Sequence, residues 1–288
     1  MKQAKYAILI VAILWGSSFA FQKEVLESMH PVLFTFLNFF ITGLLFLIYS
    51  LITKKNLLYR LSEGVLLGVC VTAMELTQMW GLHISSAANT SFISNLGMLF
   101  IPYLGYIVYR HKVTLLDTVT LCIAGVGMYF LVGGINGVGY GDIFLFASAF
   151  FMSLYFLLSQ RYEGESGVHM SVLCAQQFMT VSCITAVMML VYPAFRTASY
   201  EGATYFVALI LIFTALPYAL IQWSSKYSNE MMVSMYDGVI EPLIGGVVAW
   251  VVFFEATSPL QVAGGLLMVA AFAISSLYTK RHALLHTS

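Results

Sequence analysis

Apolar residues gather in ten stretches, near positions 5–25, 31–53, 62–83, 88–109, 115–133, 141–161, 170–192, 203–225, 231–254 and 259–279, each bounded by turn-forming or charged residues. A helix needs about 20 apolar residues to cross a hydrocarbon core, and each stretch approaches that length without the strict alternation of a half-buried strand. The pattern predicts an all-α integral membrane protein of ten transmembrane helices, with no soluble domain. The first stretch follows Lys2 and Lys5 as a signal peptide would, but it runs on for the length of a span and lacks a small-residue cleavage site. It is read as a retained helix.

Composition agrees with that pattern. The chain is 60% hydrophobic and 9% charged, against roughly a quarter charged in soluble domains. Thirteen basic residues balance thirteen acidic ones, so no net basic field exists to hold a nucleic-acid backbone. The four cysteines, Cys70, Cys122, Cys174 and Cys183, all lie inside apolar runs without metal-ligand spacing, which points to neither a disulfide framework nor a zinc site.

Charge then sets orientation, because basic residues resist translocation. With the N-terminus inside, eleven of the thirteen fall on cytoplasmic tails and connections, and only Lys23 and Arg196 fall outside. The asymmetry predicts an inner or plasma membrane protein with both termini cytoplasmic. The halves also align at an offset of 144 residues, placing Gln78 over Gln222, Tyr106 over Trp250 and His111 over Glu255. Five helices per half make the second copy inverted, the arrangement of many alternating-access carriers. The expected halves are 1–135 and 136–288.

Several short motifs carry a family resemblance. They are Trp15-Gly16-Ser17-Ser18-Phe19, Ser86-Ala87-Ala88-Asn89 leading to Ser94-Asn95-Leu96, Gly141-Asp142, and Glu241-Pro242 followed by Glu255. Their order and spacing resemble the EamA-type, ten-helix members of the drug/metabolite transporter superfamily over nearly the whole chain. The resemblance implies a bundle with a central cavity, lined mainly by the first, third, fourth, sixth, eighth and ninth helices, that moves small organic solutes. Three positions depart from the family pattern: Asn38 where arginine is common, Met98 where proline is common and His111 where glutamate is common.

An ionised side chain at mid-membrane costs roughly 2.5 to 3.5 kcal/mol, so such residues face a cavity or a partner and mark pathways. Glu75, Asp237 and Glu241 qualify, and no lysine or arginine lies at comparable depth in the sequence pattern. Acids without an internal base suit proton coupling or an organic amine. Aromatic faces beside them can hold an ammonium group, which nominates Trp15, Tyr155, Tyr218 and Trp223. The amides Asn38, Gln78, Asn95, Gln177 and Gln222, all within apolar spans, can orient a solute by hydrogen bonds. Pro102, Pro217 and Pro242 interrupt spans and are hinge candidates, while Gly64/Gly68, Gly245-Gly246 and Gly264-Gly265 suit close helix approach.

Gly139-Tyr140-Gly141-Asp142 and Tyr236-Asp237 resemble the paired motifs of intramembrane aspartyl proteases, but their order is reversed and the two acids fall at different depths. Neither a Walker loop nor a nucleophile elbow is present. The favoured expectation is therefore a secondary transporter, not an enzyme, for an amine-bearing cation or zwitterion, with proton coupling as one role for the acids. The alternatives are an exporter of neutral or aromatic amino acids or drugs and, far behind, an intramembrane enzyme or passive pore. The expected partners are a small organic solute, the bilayer and, in the coupled reading, protons. The protein is expected to be a monomer or homodimer, with no cofactor, no metal ion and no catalytic residue.

Overall fold

The computed structural model describes residues 2–110, 112–134, 137–163, 169–198, 203–224, 230–255 and 257–286, with side chains at 2–5, 160–163, 203–204, 222, 230–238, 276 and 278–286 left undescribed. Helix occupies each predicted run. In chain order the helices are α1 (Lys2–Leu26), α2 (Pro31–Ile52), α3 (Leu61–Ile84), α4 (Ala87–Ser94), α5 (Gly97–Tyr109), α6 (Leu115–Leu131), α7 (Tyr140–Glu163), α8 (Met170–Val191), α9 (Ala203–Leu209), α10 (Leu216–Ser224), α11 (Glu230–Val247) and α12 (Pro259–His286).

Six stretches of described helix are long and apolar enough to cross a membrane: Tyr6–Leu26, Pro31–Ile52, Leu61–Ile84, Ala87–Tyr109, Tyr140–Ser159 and Met170–Val191. Leu115–Leu131, Tyr205–Ile221, Val239–Val252 and Pro259–Ser275 are shorter apolar helices. In lipid every backbone N–H and C=O must be satisfied internally, which is why so apolar a chain resolves into helix. Large apolar side chains such as Ile52, Leu115, Leu190 and Leu266 are exposed, as expected of a surface solvated by hydrocarbon instead of water.

Local sequence sets the helix ends. Thr114 opens α6 through a capping box, its hydroxyl accepting from the Asp117 N–H at 3.2 Å while Asp117 accepts from the Thr114 N–H at 2.8 Å. His30 caps α2, its Nδ1 accepting from the Val32 N–H at 3.2 Å, and its ring stacks on Phe195 with centroids 4.7 Å apart. Burial, and secondly the nearby His83, hold the His30 imidazole below the usual histidine range. The cap needs that nitrogen unprotonated, so its contribution is present at neutral pH and lost as pH falls.

The run expected at 88–109 is one span in length but two helices in structure. Between α4 and α5 the amides of Leu96, Met98 and Leu99 bond three residues back, to Ile93, Asn95 and Leu96, a tightening of the 3₁₀ kind that often marks function inside a helix. Gly97 makes the break packable: a Cβ there would lie 2.7 Å from the Ala149 carbonyl of α7. The Ser153 hydroxyl donates to the Gly97 carbonyl at 2.6 Å.

Two further irregularities are π-helical, at Ile210–Ala215 and Val248–Val252. The first immediately precedes Pro217, which has no N–H to donate and whose ring crowds the preceding turn; a wider turn there accommodates it. Pro102 lies inside α5 and Pro242 inside α11.

Packing pairs α2 with α8, α3 with α7 and α8, α6 with α12, and α1 with α11. Glycines set the closest approaches. Gly264 of α12 meets the Gly127 carbonyl of α6, and Gly246 and Gly265 both accommodate the ring of Phe92, which stacks on Trp250 with centroids 5.8 Å apart. Gly64 faces Gln176 and Gly68 faces Thr180, both on α8.

Candidate functional site

Glu241 lies one residue before Pro242 on α11 and is 8% exposed. Its backbone is held from two sides. On one, the α1 motif residue Gly16 lets the chain come so close that an added methyl would overlap the Glu241 carbonyl and lie 3.1 Å from Ile244 Cβ. On the other, the Ser91 hydroxyl of α4 donates to the Pro242 carbonyl at 3.3 Å. Gly245, one turn on, meets Ser91 and the Gly16 carbonyl. Three helices thus fix the origin of this side chain within the membrane.

The Glu241 carboxylate accepts a hydrogen bond from Asn95 Nδ2 at 3.2 Å. Asn95 stands at the break between α4 and α5 and is 1% exposed; its Nδ2 also donates to the Ser91 carbonyl at 2.9 Å. Its Oδ1 is buried without a hydrogen-bond partner among the described residues. Such an atom costs about 1 to 3 kcal/mol unless something supplies a donor.

Tyr218 of α10 gathers the rest of the cluster. Its ring meets Trp15 edge-on at 5.5 Å and Phe178 at 4.7 Å. Glu75, Tyr155, Cys174 and Glu241 all lie within electrostatic reach of its hydroxyl. Tyr155 in turn donates to Gln177 Oε1 at 3.2 Å. Glu75 is half-buried on α3, and among the described residues no cationic side chain acts on either Glu75 or Glu241. Two carboxylates, an amide oxygen and two aromatic faces therefore gather around Tyr218, with no base acting on the carboxylates among the described residues. The arrangement is chemically suited to a small body that carries hydrogen-bond donors and positive charge.

Of the residues nominated from sequence, Trp15, Glu75, Asn95, Tyr155, Gln177, Tyr218 and Glu241 come together here. Asn38 is 4% exposed on α2, its Oδ1 without a partner among the described residues, and Gln78 is half-buried one turn beyond Glu75; no described contact joins either to Tyr218. Trp223 is 42% exposed near the end of α10. The side chains of Gln222 and Asp237 lie outside the described residues. Cys174 and Ser91 were not singled out by sequence reasoning, since a cysteine or serine in an apolar run carries no signal of its own.

A second polar assembly closes the end of the bundle opposite the N-terminus. Lys23 Nζ donates to the carbonyls of Leu82, His83 and Ser85 at 2.8, 2.9 and 2.7 Å, holding the end of α3. The Glu255 carboxylate accepts from the Ala87 and Ala88 N–H groups at 2.7 and 3.1 Å, holding the start of α4. Asp142 of α7 is buried and accepts from the Ser85 hydroxyl at 2.6 Å, from Asn89 Nδ2 at 3.0 Å and from the Gly139 N–H at 3.0 Å. The aspartate of the protease-like motif thus ties α7 to the α3–α4 connection.

Residues 4–133 match the EamA-like transporter family model. An uncharacterized transporter of Archaeoglobus fulgidus is 27% identical over 281 residues, covering 95% of this chain and 86% of its own. An uncharacterized transporter of Methanothermobacter thermautotrophicus is 25% identical, covering 93% of this chain and 84% of its own. One crystal structure shares the fold at a TM-score of 0.65 and 17% identity, covering 98% of this chain and 99% of its own. With residues 4–133 matched by that family model, almost its full length aligned with two archaeal transporters, and several helices long and apolar enough to cross a bilayer, this multi-pass membrane protein is similar to the EamA-like transporters.

Proposed function

We propose that the protein is a secondary carrier for a small organic amine, a cation or zwitterion, and that Glu75 and Glu241 receive the ammonium group. The observation that carries this reading is the convergence of both carboxylates on Tyr218 with no basic side chain acting on them among the described residues. The open Oδ1 of Asn95 supplies an acceptor for a second N–H, and Trp15 and Tyr218 offer faces for cation–π attraction. In this reading ten helices form two inverted halves that rock about the site, both termini are cytoplasmic, and the acids exchange protons when the amine is absent. Pro102, Pro217 and Pro242 provide the flexible points, and Gln78, Gln222 and Asp237 complete the lining.

Purified protein in liposomes tests the proposal. Saturable uptake of radiolabelled small amines, slowed by unlabelled amine and unaffected by neutral analogues of the same shape, is the expected result. Uptake of neutral or aromatic solutes with equal ease would replace it with the exporter reading, and ion-like conductance would replace it with a pore. Single cysteines at positions 136 and 228, labelled from either side of the same vesicles, report the orientation; 136 is expected outside and 228 inside.

A further inference from the structure

Away from the Tyr218 cluster, the end of α2, the connection 53–60 and the starts of α3 and α8 enclose a cavity of about 260 Å³. It is lined by Lys54, Lys55, Arg60, Glu63, His169 and Gln176, among others. Arg60 and Glu63 approach at 3.7 Å and offset each other's charge. Lys54 and Lys55 have no carboxylate partner among the described residues, so the cavity keeps a net positive charge. Both α3 and α8 begin here without a side-chain cap, adding the positive ends of two helix dipoles.

The wall is specifically built. Gln176 Nε2 donates to the carbonyls of Leu57 and Tyr59 at 2.8 and 2.9 Å, pinning the connection against α8. Lys54 and Arg60 hold left-handed backbone at φ 53° and 51°, a conformation that is unfavourable for a residue other than glycine. Arg110 and Lys112, grouped with these residues on the same side by the charge pattern, do not line the cavity. Around the cationic mouth, Leu51, Ile52, Leu58 and Leu61 are exposed. A water-soluble anion has no use for that apolar skirt, whereas a lipid uses both features at once.

We propose that this cavity is a headgroup site for an anionic glycerophospholipid: Lys54 and Lys55 hold its phosphate, and its acyl chains lie along Ile52, Leu58 and Leu61. Basic pockets between helix ends are suited to such headgroups. The assignment is independent of what the carrier moves. It does place a bound lipid on the two helices, α3 and α8, that also carry Glu75 and Gln177.

The test uses the full chain in mixed micelles of phosphatidylglycerol and phosphatidylcholine in equal amounts, with bound lipid counted by native mass spectrometry. Phosphatidylglycerol is expected to be retained in preference by about tenfold, and Lys54→Gln/Lys55→Gln to bring that ratio near one, since these two lysines supply the cavity's net positive charge. The single change Lys55→Gln is expected to give an intermediate ratio, and Arg110→Gln/Lys112→Gln to leave it unchanged. Equal retention of the two lipids by the parent protein would overturn the proposal. An equal loss in the Arg110/Lys112 variant would also do so, as diffuse charge, and displacement of the lipid by excess inorganic phosphate would show a free-anion site in its place.

Discussion

Glu241→Gln is expected to weaken binding of a small organic ammonium by about 1.5 to 3 kcal/mol, the range for a hydrogen bond to a charged group and roughly 10- to 100-fold in Kd. The substitution keeps the side-chain shape and leaves an oxygen to accept from Asn95, whose Nδ2 lies 3.2 Å from the native carboxylate, so what it removes is charge. Glu75→Gln is expected to act in the same direction. The double variant should fall short of the sum of the two losses, because both acids lie within reach of the same Tyr218 hydroxyl and share one cluster. Two measurements on each variant separate the roles: equilibrium binding at fixed pH and accumulation driven by a pH gradient. Intact binding with lost accumulation would assign the carboxylates to protons alone. Parent-like behaviour in both would make them structural and sink the amine reading.

The second large effect is steric. In Gly16→Ala the new methyl meets the main-chain carbonyl of Glu241, which has no rotamer with which to yield. Overpacking of this kind costs about 1 to 3 kcal/mol, and here it also moves the backbone that bears the carboxylate. Gly125→Ala on α6 is the matched control, since nothing lies within 4 Å of the added atom and alanine is the better helix former. Thermal unfolding of purified protein should show a lowered midpoint for Gly16→Ala and an unchanged or raised one for Gly125→Ala. Uptake should fall only in the first. If both variants unfold alike, the α1–α11 contact is not set by this glycine.

Sequence made the helices legible because lipid leaves a chain so few alternatives: runs of apolar residues must satisfy their own backbones. The candidate site was legible where a residue was expensive in its setting, as with Glu75 and Glu241, whose place within apolar spans alone nominates them. Trp223 illustrates the opposite case. It is nominated for its aromatic face, but aromatic residues serve equally at exposed surfaces, and residue type alone does not distinguish the two. The break at Asn95 was hidden because its cause is the close approach of α7 at Gly97, a contact between residues far apart in the chain. For the same reason Glu255 stood out as a motif residue while its partners, the amides of Ala87 and Ala88, did not.

Those partners have a consequence for how related sequences can drift. Lys23 and Glu255 grip carbonyl and N–H groups of residues 82, 83, 85, 87 and 88, atoms that nearly every amino acid supplies. Substitutions along that connection therefore leave the grip intact, and the two charged residues need no compensating change when it varies. Comparison of related chains would find no pairwise covariation linking Glu255 to positions 87 and 88. What such a comparison should find is an exclusion: proline, which lacks the N–H that the carboxylate holds, would be missing from both positions wherever the glutamate is kept.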